Sequence, residues 1–267
     1  MGSETRIMIN IESSPLCLYL IRHGETAWSI SSRHTSTTDL PLTEHGEEEA
    51  LLLEKRLRDV KFTRVLTSPR QRARRTCVLA GLDATAEIDQ DLAEWNYGDY
   101  EGRHSIDILA ERPDWDIFTE GCFGGEMPGQ VSARADELIA RLRLLKGNVA
   151  LFSHGQFGCV FAARWIGLPV VQSRHFVIGT ASLSILSYDP HHPQVPVIAR
   201  WNTASSEAPA APFLHLGDVR TMKQRALDRW ENEGGEIPTA GLAPVQAPAR
   251  TDSNQADVIE QAIGPST

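Results

Sequence analysis

Two short stretches place a histidine and a glycine directly after an apolar run. Leu16-Cys17-Leu18-Tyr19-Leu20-Ile21 leads into Arg22-His23-Gly24, and Val149-Ala150-Leu151-Phe152 leads into Ser153-His154-Gly155. Either tripeptide alone says little, because a lone histidine is more often structural than catalytic. Position raises its value: each run reads as a buried strand, and polar residues at its C-terminal end emerge where α/β sheets place their sites. Two imidazoles beside guanidinium groups suit a phosphate. A neutral imidazole can attack phosphorus, while Arg22 and Arg72 can make bidentate hydrogen bonds to the non-bridging oxygens. The transferring group stays negative through the transition state, so neutralising its charge is the main task. A protonated His154 would add a donor, and Gly24 and Gly155 would let backbone approach the anion.

The elements that hold these residues follow from the flanking pattern. Thr43 caps a helix over residues 44–59, with Glu47 and Glu48 early and Lys55, Arg56 and Arg58 late, as the helix dipole favours. Residues 65–67 read as a short strand, Ser68-Pro69 as a helix start with proline in the first turn, and 71–80 as the helix. Ala135, Leu138, Ile139, Leu142 and Leu145 recur at helical spacing within 131–145, and Gly147-Asn148 supplies the stop. Residues 183–188 and 195–201 read as later strands around a Pro/His-rich turn. Strands alternating with helices predict an α/β fold, a three-layer αβα sandwich on a mostly parallel sheet. The expected organisation is an N-terminal extension (1–15), a catalytic domain (16–203) and a C-terminal extension (204–267). That last segment begins Ala/Pro-rich, has a short helix around 220–233, and is expected to be largely disordered after about 238.

The formal charge of -9 argues against a nucleic-acid or acidic-membrane partner, which clustered basic charge would bind. No apolar run approaches the roughly 18 residues of a membrane span. The N-terminus shows no secretory signal, so a cytoplasmic protein is expected. Cys17, Cys77, Cys122 and Cys159 are scattered, with no metal-type spacing, and read as reduced, mostly buried thiols. No metal box, P-loop, dinucleotide fingerprint or Ser-His-Asp arrangement is evident, so neither metal nor cofactor is expected.

Longer motifs surround the histidines. They are Leu20-Ile21-Arg22-His23-Gly24-Glu25-Thr26-Ala27-Trp28, then Thr67-Ser68-Pro69-Arg70-Gln71-Arg72-Ala73-Arg74-Arg75-Thr76, then Leu92-Ala93-Glu94-Trp95-Asn96-Tyr97-Gly98-Asp99-Tyr100-Glu101-Gly102, and finally Phe152-Ser153-His154-Gly155. In this order they resemble the signature motifs of the histidine phosphatase, or phosphoglycerate mutase-like, superfamily, and they span about Leu16 to Asn202. The resemblance implies a phosphoglycerate mutase-like fold and a metal-independent phosphomonoesterase with a phosphohistidine on His23. Arg22, Arg72 and His154 would hold the phosphate, and Glu94 would be general acid/base. Chemistry supports such a carboxyl group, because the leaving alkoxide must be protonated and a carboxyl beside an anion keeps its proton longer. Asp91, Asp99 and Glu101 compete for that role; for Asp99 and Glu101, turn or solvent-exposed roles are expected.

The same resemblance places Ser29, where many relatives carry Asn, together with Thr35 and Tyr97, at substrate-contacting positions, against ordinary roles in turns or packing. Gln156 could donate its amide or simply start a helix. Arg70, Arg74 and Arg75 flank Arg72 and are expected mostly to face solvent or pair with carboxylates. His34, His45, His104, His175, His191, His192 and His215 read as surface or loop residues, and Trp28, Trp95, Trp115 and Trp165 as packing.

Within the superfamily, a phosphatase competes with a cofactor-dependent phosphoglycerate mutase and with a non-catalytic phosphate- or partner-binding module. Presence of Arg22, His23, Arg72, Glu94 and His154 disfavours the last. Mutases carry a longer insertion after the third motif, whereas 102–129 is short here. The stretch 111–126 and the Glu94-to-Gly102 element resemble sugar-phosphate phosphatases such as the sedoheptulose bisphosphatase group. The implied partner is a small phosphorylated metabolite, a sugar phosphate foremost, and a homodimer is compatible with the sequence.

Overall fold

A computed structural model describes residues 14–207. In chain order the elements are β1 (Cys17–Arg22), α1 (Ala27–Ile30), α2 (Glu44–Leu57), β2 (Phe62–Thr67), α3 (Gln71–Leu79), β3 (Ala86–Ile88), α4 (Ser105–Glu111), α5 (Ile117–Glu120), α6 (Pro128–Leu142), β4 (Asn148–Ser153), α7 (Gly155–Trp165), β5 (Leu183–Tyr188) and β6 (Pro196–Thr203). The strands form one six-stranded sheet in the order β3-β2-β4-β1-β5-β6. The first four in that order are parallel, while β5 runs antiparallel to β1 and β6 antiparallel to β5. The mostly parallel α/β sheet expected from the sequence is present. The helix expected at 220–233 and the tail after 238 lie outside the described residues.

Alternation along the strands divides the core in two. Leu18 and Leu20 join Val149, Leu151, Leu138, Ile139, Phe157 and Phe161, packing β1 and β4 against α6 and α7. Tyr19 and Ile21 join Ala150, Phe152, Leu53, Leu57, Ala73 and Cys77, packing the other face against α2 and α3. Helices on both faces explain why β1 and β4 are apolar without a polar alternation. All four cysteines are free and buried, as expected. Among the described residues no helix is long and apolar enough to cross a membrane.

Local chemistry accounts for most boundaries. Thr43 caps α2 by accepting from Gly46 N at 3.0 Å. Helix α6 starts earlier than its apolar spacing suggests, with Pro128 in its first turn, and it ends at Leu142. Pro69 is not in the first turn of α3: Arg70 is the N-cap, so the proline shapes the approach instead. Helix α7 has no polar stripe, since eight of its eleven residues are buried, and without periodicity its helical state is hidden in the sequence. The three-residue β3 is too short to give a pattern.

The register decides where the site forms. Arg22 pairs with Ser153, and Thr67 with Phe152, so β1, β4 and β2 end at one edge. Beyond those ends His23 N donates to Ser153 O at 3.0 Å and Ser68 N to Phe152 O at 2.9 Å. His23, His154 and Ser68 therefore leave the sheet side by side. Gly24 serves this packing rather than an approach of backbone to an anion: a Cβ there would sit 2.3 Å from Gly46 O in the first turn of α2. A Cβ on Gly155 would meet the Arg22 guanidinium at 3.4 Å, so this glycine leaves that side chain its space.

Candidate active site

His23 is buried, and its Nδ1 lies 2.7 Å from Gly24 O. A carbonyl can only accept, so the neutral ring carries its proton on Nδ1, leaving a free lone pair on Nε2. Burial first, then the charges of Arg72 and Arg22, holds the His23 pKa well below its usual range. His154 is also buried, with Nε2 2.7 Å from Ser68 Oγ and its ring centroid 5.1 Å from that of His23. Burial and the same arginines depress it too, so a protonated His154 requires a counter-charge such as a phosphate dianion.

These depressed pKa values set the acid stability. Below the unfolded value of about 6.5 the unfolded chain takes up protons that native His23 and His154 refuse, which destabilises the fold by about 1.4 kcal/mol per pH unit for each proton. His34, whose native pKa is lowered to about 4, adds a third such group, while Glu94, raised in the native state, works in the opposite sense above about pH 4.5 and offsets at most one of them. Thermal melting should therefore drop between pH 7 and pH 5, and saturating inorganic phosphate should reduce the drop. A flat profile without phosphate would show that the imidazoles are not buried neutral.

Arg22 Nη1 donates to Ile178 O at 2.7 Å. Arg72 is wholly buried and donates through Nη1 to Thr38 O at 3.0 Å and through Nη2 to Thr35 O and Ser36 O, both at 3.2 Å. The loop supplying those carbonyls is tied down by Glu101, which accepts from Ser36 N at 2.9 Å and Thr38 N at 3.0 Å. Glu101 is thus not a solvent-facing residue; it shapes the loop that orients Arg72. Asp99 lies in a 3-10 turn over Gly98–Tyr100, in keeping with a turn role. Arg75 pairs with Glu47 at 2.7 Å and Arg74 is exposed, both as expected. Arg70 departs from that expectation, because its Nε is buried without a partner among the described residues, as are Arg22 Nε, Arg72 Nε and His154 Nδ1. Unpartnered buried nitrogens are costly, and this concentration beside two histidines suits an incoming anion.

Glu94 is buried against the N-terminal amides of α7. Its Oε1 accepts from Trp95 N at 2.9 Å and Phe157 N at 2.7 Å, and its Oε2 from Gln156 N at 3.1 Å. Burial raises its pKa, and these amides and Arg72 moderate the rise without cancelling it. The carboxyl can therefore hold a proton above the ordinary range, which a general acid needs. Asp91, by contrast, pairs with Arg141 at 2.6 Å.

A cavity of about 430 Å³ opens here, lined by Arg22, His23 and Glu94 together with Ser29, Thr35, Tyr97 and Gln156. Arg72 and His154 are not in its wall. Ser29 Oγ donates to Thr26 O at 2.9 Å and accepts from Thr26 N at 2.8 Å, so its proton is engaged in capping α1. Thr35 Oγ1 similarly donates to Arg33 O at 3.0 Å. His34, expected at the surface, lines the cavity instead. It stacks on Tyr97 with centroids 4.5 Å apart, its Nε2 lies 3.2 Å from Ser105 Oγ, and burial lowers its pKa to about 4. Phe176, Val177 and Ile178 add an apolar side that no motif announced. Among the described residues no group of three or more His, Cys, Asp or Glu side chains could hold a metal ion.

The family model described as histidine phosphatase superfamily (branch 1) matches residues 18–203. The chain belongs to the histidine phosphatase superfamily. As a histidine phosphatase it is a phosphoric monoester hydrolase. It is 40% identical to an acid phosphatase of Mycobacterium tuberculosis over 176 residues, 64% of this chain and 86% of that one. It is 37% identical to sedoheptulose 1,7-bisphosphatase of Saccharomyces cerevisiae over 190 residues, 59% of this chain and 69% of the yeast enzyme. The solved structure of a Mycobacterium tuberculosis open reading frame product superimposes with a TM-score of 0.66 at 36% identity, covering 71% of this chain and 98% of that one.

Proposed function

We propose that this protein hydrolyses a small phosphorylated metabolite, foremost a sugar phosphate, without a metal ion, through a phosphohistidine on His23 with Glu94 as general acid and then base. The observation that carries this reading is the His23 Nδ1 to Gly24 O hydrogen bond, which leaves Nε2 as the nucleophilic nitrogen in a cavity that Glu94 also lines. Arg22 meets the phosphate at the cavity wall, and Arg72 and His154, which lie outside that lining, supply charge and the nitrogens Nε and Nδ1 that have no partner among the described residues. Nε2 attacks phosphorus, the ester P–O bond breaks, and Glu94 gives its proton to the departing alkoxide. The Nδ1–H stays on the Gly24 carbonyl, which stabilises the positive charge that develops on the ring. Water, losing its proton to the Glu94 carboxylate, then attacks phosphorus, the P–N bond breaks, and inorganic phosphate leaves.

The cavity is of a size that takes a whole metabolite. Its wall combines the polar Ser32, Arg33, His34 and Ser105 with the apolar Phe176 to Ile178. A polyhydroxylated chain suits that mixture, and the yeast relative's name points to the same class. Ser29, Thr35 and Tyr97 are proposed as secondary contacts, the first two after exchanging their present hydrogen bonds.

The test is a hydrolysis screen of phosphorylated sugars, glycerates and nucleotides in excess EDTA. Sugar phosphates should be preferred, with phosphate release unchanged by the chelator, because guanidinium and imidazole groups supply the charge a divalent ion would bring. Incubation with 3-phosphoglycerate and a trace of 2,3-bisphosphoglycerate should give little 2-phosphoglycerate. Abolition by EDTA with rescue by magnesium would overturn the mechanism, and fast isomerisation would make the protein a mutase.

A further inference from the structure

We propose that Arg134, working with Glu126, is a positioning residue for the acid/base carboxylate; this rests on the role proposed for Glu94. Arg134 projects from α6 and spends its guanidinium on the segment carrying Glu94. Nη1 donates to Asp91 O and Ala93 O, both at 2.8 Å. Nε and Nη2 grip the two oxygens of Glu126, each at 2.8 Å. Glu126 holds the far side of the same segment: its Oε2 accepts from Asn96 N at 2.8 Å, its carbonyl from Trp95 Nε1 at 2.9 Å, and its N donates to Asn96 O at 2.9 Å. Residues before and after Glu94 are thus fixed by one ion pair.

The guanidinium also lies 4.3 Å from the centroid of the Phe157 ring, whose backbone N donates to Glu94 Oε1. One group therefore braces both the segment bearing the carboxyl and the helix start that orients it. The two side chains are only 15% and 19% exposed, which shields the pair from the solvent screening that weakens surface ion pairs. Only arginine offers a planar fork that can reach two carbonyls and both carboxylate oxygens at once. A shift of about 1 Å in a catalytic group is costly, so bracing of this kind acts on proton transfer.

The variants are Arg134→Met, Arg134→Lys and Glu126→Gln, each compared on an alkyl phosphate and on p-nitrophenyl phosphate. Here kcat/KM reports the steps up to departure of the leaving group. For Arg134→Met it should fall roughly thirtyfold on the alkyl ester and no more than about threefold on the aryl ester, whose leaving group needs no proton. The alkaline limb of the alkyl-ester pH profile should shift, and Arg134→Lys should recover only part of the loss. A purely structural pair would instead lower both substrates equally, following the folded fraction, and that result would overturn the proposal, as would no change. Should Arg134→Met fail to fold, the isosteric Glu126→Gln keeps the backbone contacts to Trp95 and Asn96 and decides the matter by the same ratio. Glu94→Gln separates the two ideas: without leaving-group dependence there, the role of Glu94 itself fails. Dependence in Glu94→Gln but in none of these variants overturns the positioning role alone.

Discussion

His23→Ala should lower kcat by about four orders of magnitude or more and abolish the phosphoenzyme, because it removes the atom that bonds phosphorus. Binding should survive. Arg22, Arg72 and His154 keep their partners in the absence of the imidazole: Arg22 is anchored on Ile178 O, Arg72 on the 35–38 loop, and His154 on Ser68. A group that acts mainly in the transition state costs rate more than affinity when it is lost. Folding should survive as well, since the truncation removes a buried ring held by one hydrogen bond and leaves the strand register to its backbone bonds. The measurement is rapid acid-free quenching with radiolabelled substrate. Acid-labile, base-stable phosphate should appear on the wild-type protein and be missing from His23→Ala. Near-normal turnover by the variant, or label mapped to another residue, would refute the nucleophile.

Glu94→Gln should divide substrates by leaving group. On an alkyl phosphate kcat/KM should fall roughly 100- to 10,000-fold, the usual contribution of a general acid, while p-nitrophenyl phosphate should lose less than about tenfold. The second half-reaction also loses its base, so kcat should fall for both substrates. The aryl ester should then give a burst of p-nitrophenolate while phosphoenzyme accumulates. Glutamine can still accept from Trp95 N and Phe157 N through its oxygen, but its NH2 would face Gln156 N, which now bonds Oε2. A stability cost of about 1 kcal/mol is expected from that donor left without an acceptor. Melting curves therefore accompany the kinetics. Equal losses of kcat/KM on both esters, with the protein folded, would remove Glu94 from proton transfer to the leaving group.

Much of the fold was legible because its signals are local. The apolar runs ending in Arg22-His23 and Ser153-His154 mark central strands, since a strand covered on both faces leaves no polar alternation. The Thr43 cap and the charge order of α2 marked that helix within a few residues. The four motifs were readable for the same reason: each is a short contiguous segment whose residue types are tied to one chemistry.

What stayed hidden depends on contacts between distant segments. Helix α7 has no polar face because it is buried all round, so periodicity had nothing to report. Glu101 and His34 looked like ordinary loop residues until the chain brought Glu101 against Ser36 and Thr38, and His34 against Tyr97. Arg134 lies in none of the four motifs, yet it reaches the carbonyls of Asp91 and Ala93, about forty positions earlier. The protonation states are the clearest case. Residue types along the chain name His23, His154 and Glu94 as groups able to exchange protons. Only burial beside Arg22 and Arg72 makes the imidazoles neutral, and only burial that outweighs Arg72 and three backbone amides makes the carboxyl a proton holder, because desolvation and charge add over every atom nearby, whatever its place in the chain.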